Sequence, residues 1–394
     1  MTVLHFVTHL FPPAHGGLEL WTLRIAQSLA RTGVRPLVHI RAPRDEFDYG
    51  DMREFEGVEI RPLARTREVL EEPLIRSNWP RLKAERWRLD HLLLRNTIRE
   101  EMRREPGRRH VVVSSYITAE GFLASTVSSD LGLPHIVCAV GTDYSRDYRE
   151  PHGRLIAGHV LRNAAAVVTM NEEQERAFRR DLGIDNVRTI RPSASEQMMA
   201  YRWSRAHDGT VRLFSDTGFS FKKATQVLLA AFARLRAEAV PVTLAIWGDI
   251  HAGQEDYWRA TKAAWQERFA DAVEFRDHAD VTEVWQRLTA SDIYCSATLG
   301  EGCSLARSAA MCVGIPVVTT RCGEAADMAE GASHVRLCDP GDPDGFHEAL
   351  KQACADVFAG TMHVDTERVA QWRAEFDVSR ERELWVRVLS DVLA

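Results

Sequence analysis

The sequence has no run of about 18 apolar residues free of charge, so it offers no membrane-spanning helix. It has no C-x-x-C pair either. Its seven cysteines (Cys138, Cys295, Cys303, Cys312, Cys322, Cys338 and Cys354) are odd in number and loosely spaced. That argues against a disulfide framework and against zinc, and no metal site is expected. No G-x-G-x-x-G fingerprint occurs, which disfavours a nicotinamide or flavin oxidoreductase. The first residues, MTVLHFVTHLFPPAHGG, lack a basic start and a long apolar stretch, so they read as the beginning of a fold and not as a secretion leader. With reduced thiols this makes the cytoplasm the expected compartment. A positive excess is missing too. Fifty Lys+Arg against 56 Asp+Glu give 50 − 56 = −6, which argues against nucleic-acid binding through bulk charge while leaving a local basic groove open.

What is present is enough apolar material for two cores. The chain has 394 residues, 45% of them hydrophobic and 27% charged, and single domains run to about 100–200 residues. An apolar run at Val3 to Thr8 precedes a loop with Pro12, Pro13, Gly16 and Gly17. Helically spaced Leu20, Leu23, Ile25, Ala26, Leu29 and Ala30 then end near Gly33, and a second apolar run spans Pro36 to Ile40. This strand–helix–strand order predicts a right-handed parallel crossover. Similar alternation continues to Ile190. A polar, aperiodic stretch from Pro192 to Asp208 reads as a linker. A second alternating series runs from Val211 to Phe358, and the tail Glu367 to Ala394 reads as helical. Two doubly wound α/β domains are expected, with ligands held in loops that follow strands.

Three such loops stand out. Pro12-Pro13-Ala14-His15-Gly16-Gly17-Leu18-Glu19 pairs glycines with a helix start. It is either a turn needing glycine or a place where backbone N–H groups approach an anion. Phe219-Ser220-Phe221-Lys222-Lys223-Ala224 sets two lysines at a helix start, where they oppose the helix dipole. They form a solvated pair or neutralise a diphosphate. Leu299-Gly300-Glu301-Gly302-Cys303-Ser304-Leu305 offers a carboxylate for hydroxyl groups, or simply a helix cap.

In this order, together with Gly314-Ile315-Pro316-Val317-Val318, Cys322-Gly323-Glu324 and Arg373-Ala374-Glu375-Phe376, these segments resemble a retaining GT4-like glycosyltransferase (glycosyl transferases group 1) of the GT-B fold over nearly the whole chain. The resemblance implies two Rossmann-like domains facing a central cleft, an acceptor side at 1–195, a nucleotide-sugar side at 209–375, and a helix at 376–394 returning to the first domain. It implies transfer of a sugar, of the hexosyl type, from a nucleotide-diphosphate sugar to an acceptor hydroxyl with retention, without metal or other cofactor. Lys223 would bind phosphate and Glu301 the donor sugar. His15, the only histidine in a candidate site loop, either hydrogen-bonds or deprotonates an acceptor hydroxyl or is simply a loop histidine. Gly16, Gly17, Gly218, Lys222, Gly302, Cys303, Ser304 and Leu305 would line the donor, with Cys303 as packing and not as a nucleophile. Glu19 and Asp143 would lie on the acceptor side, although Asp143 equally suits a helix cap.

The sequence departs from the family pattern at Ala309, where E-x7-E would place its second glutamate, and at Val140, where a histidine is usual. It departs again at Ser215-Asp216-Thr217-Gly218, which lacks an arginine, and at Pro192-Ser193. Arg321, Lys222 and Arg191 are candidate substitutes. A catalytically degenerate binding protein and a pseudo-glycosyltransferase or sugar-nucleotide epimerase are therefore the alternatives. The acceptor is open: small molecule, glycan, lipid or nucleic acid. Trp21, Trp79, Trp87, Arg76, Arg81, Lys83, Arg86 and Arg88 suggest a peripheral anionic contact through 76–109. The alternative is a solvated amphipathic helix balanced by Glu85, Asp90, Glu100 and Glu101.

Overall fold

The computed structural model describes residues 2–14, 16–41, 47–63, 79–204, 208–277 and 279–394, with side chains of 79–86 left out. The chain divides into two compact units, residues 1–191 with 381–394, and residues 192–380. No helix among the described residues is long and apolar enough to cross a membrane.

The first unit is built on eight strands: β1 Thr2–Thr8, β2 Arg35–Ile40, β3 Glu54–Phe55, β4 Val58–Pro62, β5 Arg109–Ser115, β6 His135–Ala139, β7 Ala166–Thr169 and β8 Val187–Thr189. Their order is β3-β4-β2-β1-β5-β6-β7-β8. All neighbours are parallel except β3 and β4. Those two form a hairpin whose turn residues, Glu56 and Gly57, both have positive φ (47° and 80°), the geometry that matches strand twist in a two-residue turn. The central strands are almost wholly buried, as a sheet covered on both faces requires.

The charged segment before β5 forms one helix, Trp79–Arg104. It is not simply exposed: Leu94 and Ile98 are buried against Val7, Val112 and Leu123. Two acids expected to balance the helix's own arginines are buried and pair with arginines from elsewhere in this unit, Glu101 while also accepting from Arg104 of its own helix (3.1 Å). Asp90 accepts from Arg41 (3.0 Å), and Glu101 accepts from Arg35 (3.0 Å). Trp21 is also buried, and its indole donates to Glu381 at 2.7 Å, so it is part of the core and not an acceptor anchor. Trp87 is half-buried beside His91 and Phe122. Arg76 and the side chains of Trp79, Arg81, Lys83, Glu85 and Arg86 lie outside what the structure describes.

The second unit carries six parallel strands: β9 Val211–Ser215, β10 Val242–Trp247, β11 Val273–Arg276, β12 Ile293–Ser296, β13 Val317–Thr320 and β14 Val335–Cys338. Their order is β11-β10-β9-β12-β13-β14. The stretch that reads as a linker is packed here: Ala194 and Met198 are buried in this core, and Trp203 donates its indole N–H to Ser291 O at 2.8 Å. The tail is two helices, Thr366–Glu375 and Val378–Leu393. They separate because Phe376 is buried in the second unit's core while Asp377 accepts from Ser379 N (2.7 Å) and starts a new helix. That helix buries Trp385, Val388 and Leu389, and from Glu381 onward it belongs to the first unit.

Candidate functional site

In a doubly wound sheet, ligands sit outside the carboxyl ends of the strands where strand order reverses. In the second unit that point lies between β9 and β12. The two loops leaving these strands are the lysine loop and the glutamate loop. They are tied together by Leu299 N donating to Lys222 O (2.9 Å) and by Thr298 Oγ1 donating to the same oxygen (3.3 Å).

The loops deliver one ion pair. Lys223 Nζ donates to Glu301 Oε1, Lys222 Nζ lies 4.0 Å from Glu301 Oε2, and Thr298 Oγ1 donates to Glu301 Oε1 at 3.2 Å. Glu301 is only 11% exposed and Lys223 28%. Burial would raise the Glu301 carboxyl, but the two lysines outweigh it and hold it at about 2. Ser220 Oγ accepts from Lys223 N (3.1 Å) and shapes the turn. Ala224, the next residue, is buried with φ 49°, a left-handed conformation unusual for a residue with a side chain. The helix Thr225–Ala237 starts directly after it.

Gly218 supports the loop from below. Its φ is 67°, its N–H donates to Trp247 O (3.0 Å), and a Cβ there would fall 2.6 Å from Asp249 O. The backbone approach therefore explains this glycine. Asp216, in the segment that lacks the family's arginine, is a half-buried carboxylate that accepts from Tyr294 Oη at 2.9 Å. Burial raises its pKa. Of the candidate substitutes, Arg321 pairs with Glu330, and Arg191 pairs with Glu172 (3.2 Å) in the first unit. Lys222 remains at the site.

The glutamate loop leads into the helix Leu305–Val313. Ser304 caps it, its Oγ accepting from Arg307 N at 3.3 Å. The resemblance points the amide of Ser304 at a ligand, but it donates to Glu324 Oε2 at 3.0 Å. In this structure an internal carboxylate holds that amide. Gly302 is buried, Leu305 half-buried, and Cys303 half-buried with its Sγ 3.5 Å from Ser308 Oγ. Arg307 goes unrecognised in the sequence. It is the one charged residue in Leu305–Val313, and it is fully buried against Glu324. A lone arginine in a small-residue apolar helix is the available signal.

In the first unit, the order reverses between β1 and β5. The loop after β1 ends at Gly16, and Gly17 opens the helix Gly17–Ala30. Glu19 folds back over this helix start: a Cβ on Gly16 would collide with Glu19 Oε2. Burial raises the Glu19 carboxyl. His15 lies outside the described residues. Asp143 is fully buried and accepts from Gly141 N (2.8 Å), Ile117 N (3.0 Å) and Tyr144 N (3.0 Å). It ties the loops after β5 and β6 together, and burial raises it to about 6. The seven cysteines are all free, and no group of three His, Cys, Asp or Glu among the described residues is arranged to hold a metal ion.

Comparison with known proteins agrees with both units. Residues 16–192 match the family described as Glycosyl transferase 4-like domain, and residues 214–356 match Glycosyl transferases group 1. A D-inositol 3-phosphate glycosyltransferase of Corynebacterium urealyticum is 28% identical over 243 residues, a match spanning 57% of this chain and 57% of that relative's length. Among solved structures, a sucrose-phosphate synthase from Thermosynechococcus elongatus aligns over 100% of this chain and 99% of its own, with TM-score 0.77 and 15% identity. Anabaena HepE, solved in complex with UDP, aligns over 99% and 100%, with TM-score 0.70 and 17% identity. These neighbours share the two-domain α/β GT-B fold. The chain belongs to the GT4-like group 1 glycosyltransferase family.

Proposed function

We propose that this protein moves a sugar from a nucleotide-diphosphate sugar to an acceptor hydroxyl with retention of configuration. The observation that carries the reading is the Lys223–Glu301 pair at the β9/β12 reversal. An arriving diphosphate competes with Glu301 for the ammonium of Lys223, and Lys222 adds charge beside it. Glu301, released from Lys223, accepts hydrogen bonds from sugar hydroxyls. As the glycosidic bond breaks, negative charge grows on the leaving diphosphate, and the two lysines stabilise it. In the retaining mechanism the leaving phosphate takes the acceptor proton, so no side-chain nucleophile is required and we assign no metal. In the first unit, Glu19 and Asp143 are assigned to the acceptor side. Asp143, with its carboxylate engaged by three amides, acts there by holding its loop.

The UDP bound by the Anabaena neighbour makes uridine nucleotides the first donors to try. A thermal-shift screen against UDP-, GDP-, ADP- and TDP-sugars tests the reading. A ligand at about 100 times its Kd adds about 2.7 kcal/mol of stability. At least one sugar nucleotide should raise the melting point, and Lys223→Ala should abolish the shift. No shift with any of them refutes the transferase reading. A binding protein without turnover is the second reading. It is favoured by Ala309 and by the Ser304 amide already bonded to Glu324. A nucleotide-sugar shift without transfer or hydrolysis would support it.

A further inference from the structure

Arg307 and Glu324 are both wholly buried. Arg307 donates through Nε to Glu324 Oε1 (2.7 Å), through Nη2 to Glu324 Oε2 (2.8 Å) and Cys322 O (2.8 Å), and through Nη1 to Thr319 Oγ1 (3.0 Å). Glu324 Oε2 also accepts the Ser304 amide. The pair therefore grips the turn after β13 at Cys322 and the glutamate loop at Ser304. Between these grips the two segments touch. A Cβ on Gly323 would fall 2.8 Å from Gly302 O, 3.1 Å from Glu301 O and 3.2 Å from Glu301 Cβ. The backbone of Glu301 is thus seated directly on the turn that Arg307 holds.

A buried ion pair is a poor way to gain stability, because desolvation offsets most of the attraction and apolar pairs of like volume do as well or better. Its bidentate geometry does fix two segments in one register. We infer that Arg307 and Glu324 are positioning residues that aim the Glu301 carboxylate, and so set the preference for a sugar-bearing nucleotide over the bare nucleoside diphosphate; this rests on the donor-site reading above. Lys223 is carried by the other loop, joined upstream of Glu301 through Leu299 and Lys222. Loss of the clamp therefore strikes contacts made by Glu301 and spares phosphate contacts made by Lys223.

The test is a double-mutant cycle read by calorimetric titration with UDP-, GDP-, ADP- and TDP-glucose and the matching diphosphates. The clamp variant is Arg307→Met/Glu324→Gln, which leaves no lone buried charge and keeps an acceptor for Ser304. The expected result is a fall of about tenfold in the preference for sugar nucleotide over diphosphate, with diphosphate affinity held within about threefold. Glu301→Ala should remove the same preference, and adding it to the clamp variant should cost nothing further. Arg307→Lys keeps the charge without the fork and should lose part of the preference. If the double variant lacks a cooperative melt, Arg307→Lys carries the cycle against Glu301→Ala under the same criterion. Additive losses, or diphosphate affinity falling in step with sugar-nucleotide affinity, overturn the clamp alone. A wild type that binds no nucleotide overturns the donor-site reading itself.

Discussion

Replacing Lys223 by methionine removes the ammonium that holds Glu301 ionised while keeping most of the aliphatic stem. The Glu301 carboxyl stands at about 2 against an ordinary 4.5, a difference of about 3 kcal/mol by linkage. Lys223 is 28% exposed and Lys222 lies 4.0 Å away, so solvent and the second lysine reduce the loss to about 2 kcal/mol. In the second unit this lowers the melting temperature by roughly 4–8 °C. The pH dependence identifies the cause. A carboxylate with a depressed folded pKa contributes its full stability above about pH 4.5, and loses it as pH falls toward about 2. The gap between wild type and Lys223→Met should therefore be widest near neutrality and shrink steadily in acid. Lys223→Met/Glu301→Gln, which leaves no stranded charge, should recover much of the loss at pH 7. Urea denaturation at pH 7, 4.5 and 3 measures all three. A wild-type melt unchanged by Lys223→Met at pH 7, or a gap that does not vary with pH, refutes the ion-pair argument.

Gly323→Ala should destabilise the second unit by more than about 1 kcal/mol, because φ is 60° and the new methyl meets Gly302 O at 2.8 Å; calorimetry reads it. Trp21→Phe removes the 2.7 Å bond to the buried Glu381 and should cost about 1–3 kcal/mol. It should also speed proteolytic release of the final helix. In the first unit, His5 bridges His39 and His110 at 3.0 Å each, all buried. Burial lowers all three, His39 to about 3. A histidine kept neutral in the fold loses stability as pH falls from about 6.5 through its folded pKa, by about 1.4 kcal/mol per pH unit. His39→Gln should flatten that acid slope by about one proton; an unchanged slope between pH 6 and 4 would contradict it.

The motif loops were legible in sequence as positions, because strand–loop–helix alternation leaves few topologies, while each loop's glycines, lysines or glutamate admitted a purely structural role as well as a ligand-binding one. The Lys223–Glu301 meeting was legible only as far as each residue occupied a loop after a strand. Their contact needed the reversal that makes β9 and β12 neighbours, although β10 and β11 lie between them in the chain.

The sequence by itself determined the two alternating α/β series, the three motif loops and the family they resemble, because local periodicity and glycine placement act over a few residues. Only the tertiary structure decided which charges face one another. Arg307 reads locally as an outlier in an apolar helix, and its meaning comes from Glu324, a residue on the far side of β13. Asp90 and Glu101 read as part of a solvated helix, and they became buried partners of Arg41 and Arg35. The physical reason is common to both cases. A charge can be buried only where an opposite charge or hydrogen-bond donors meet it, and for these pairs the meeting is made by long-range packing, which no local pattern records.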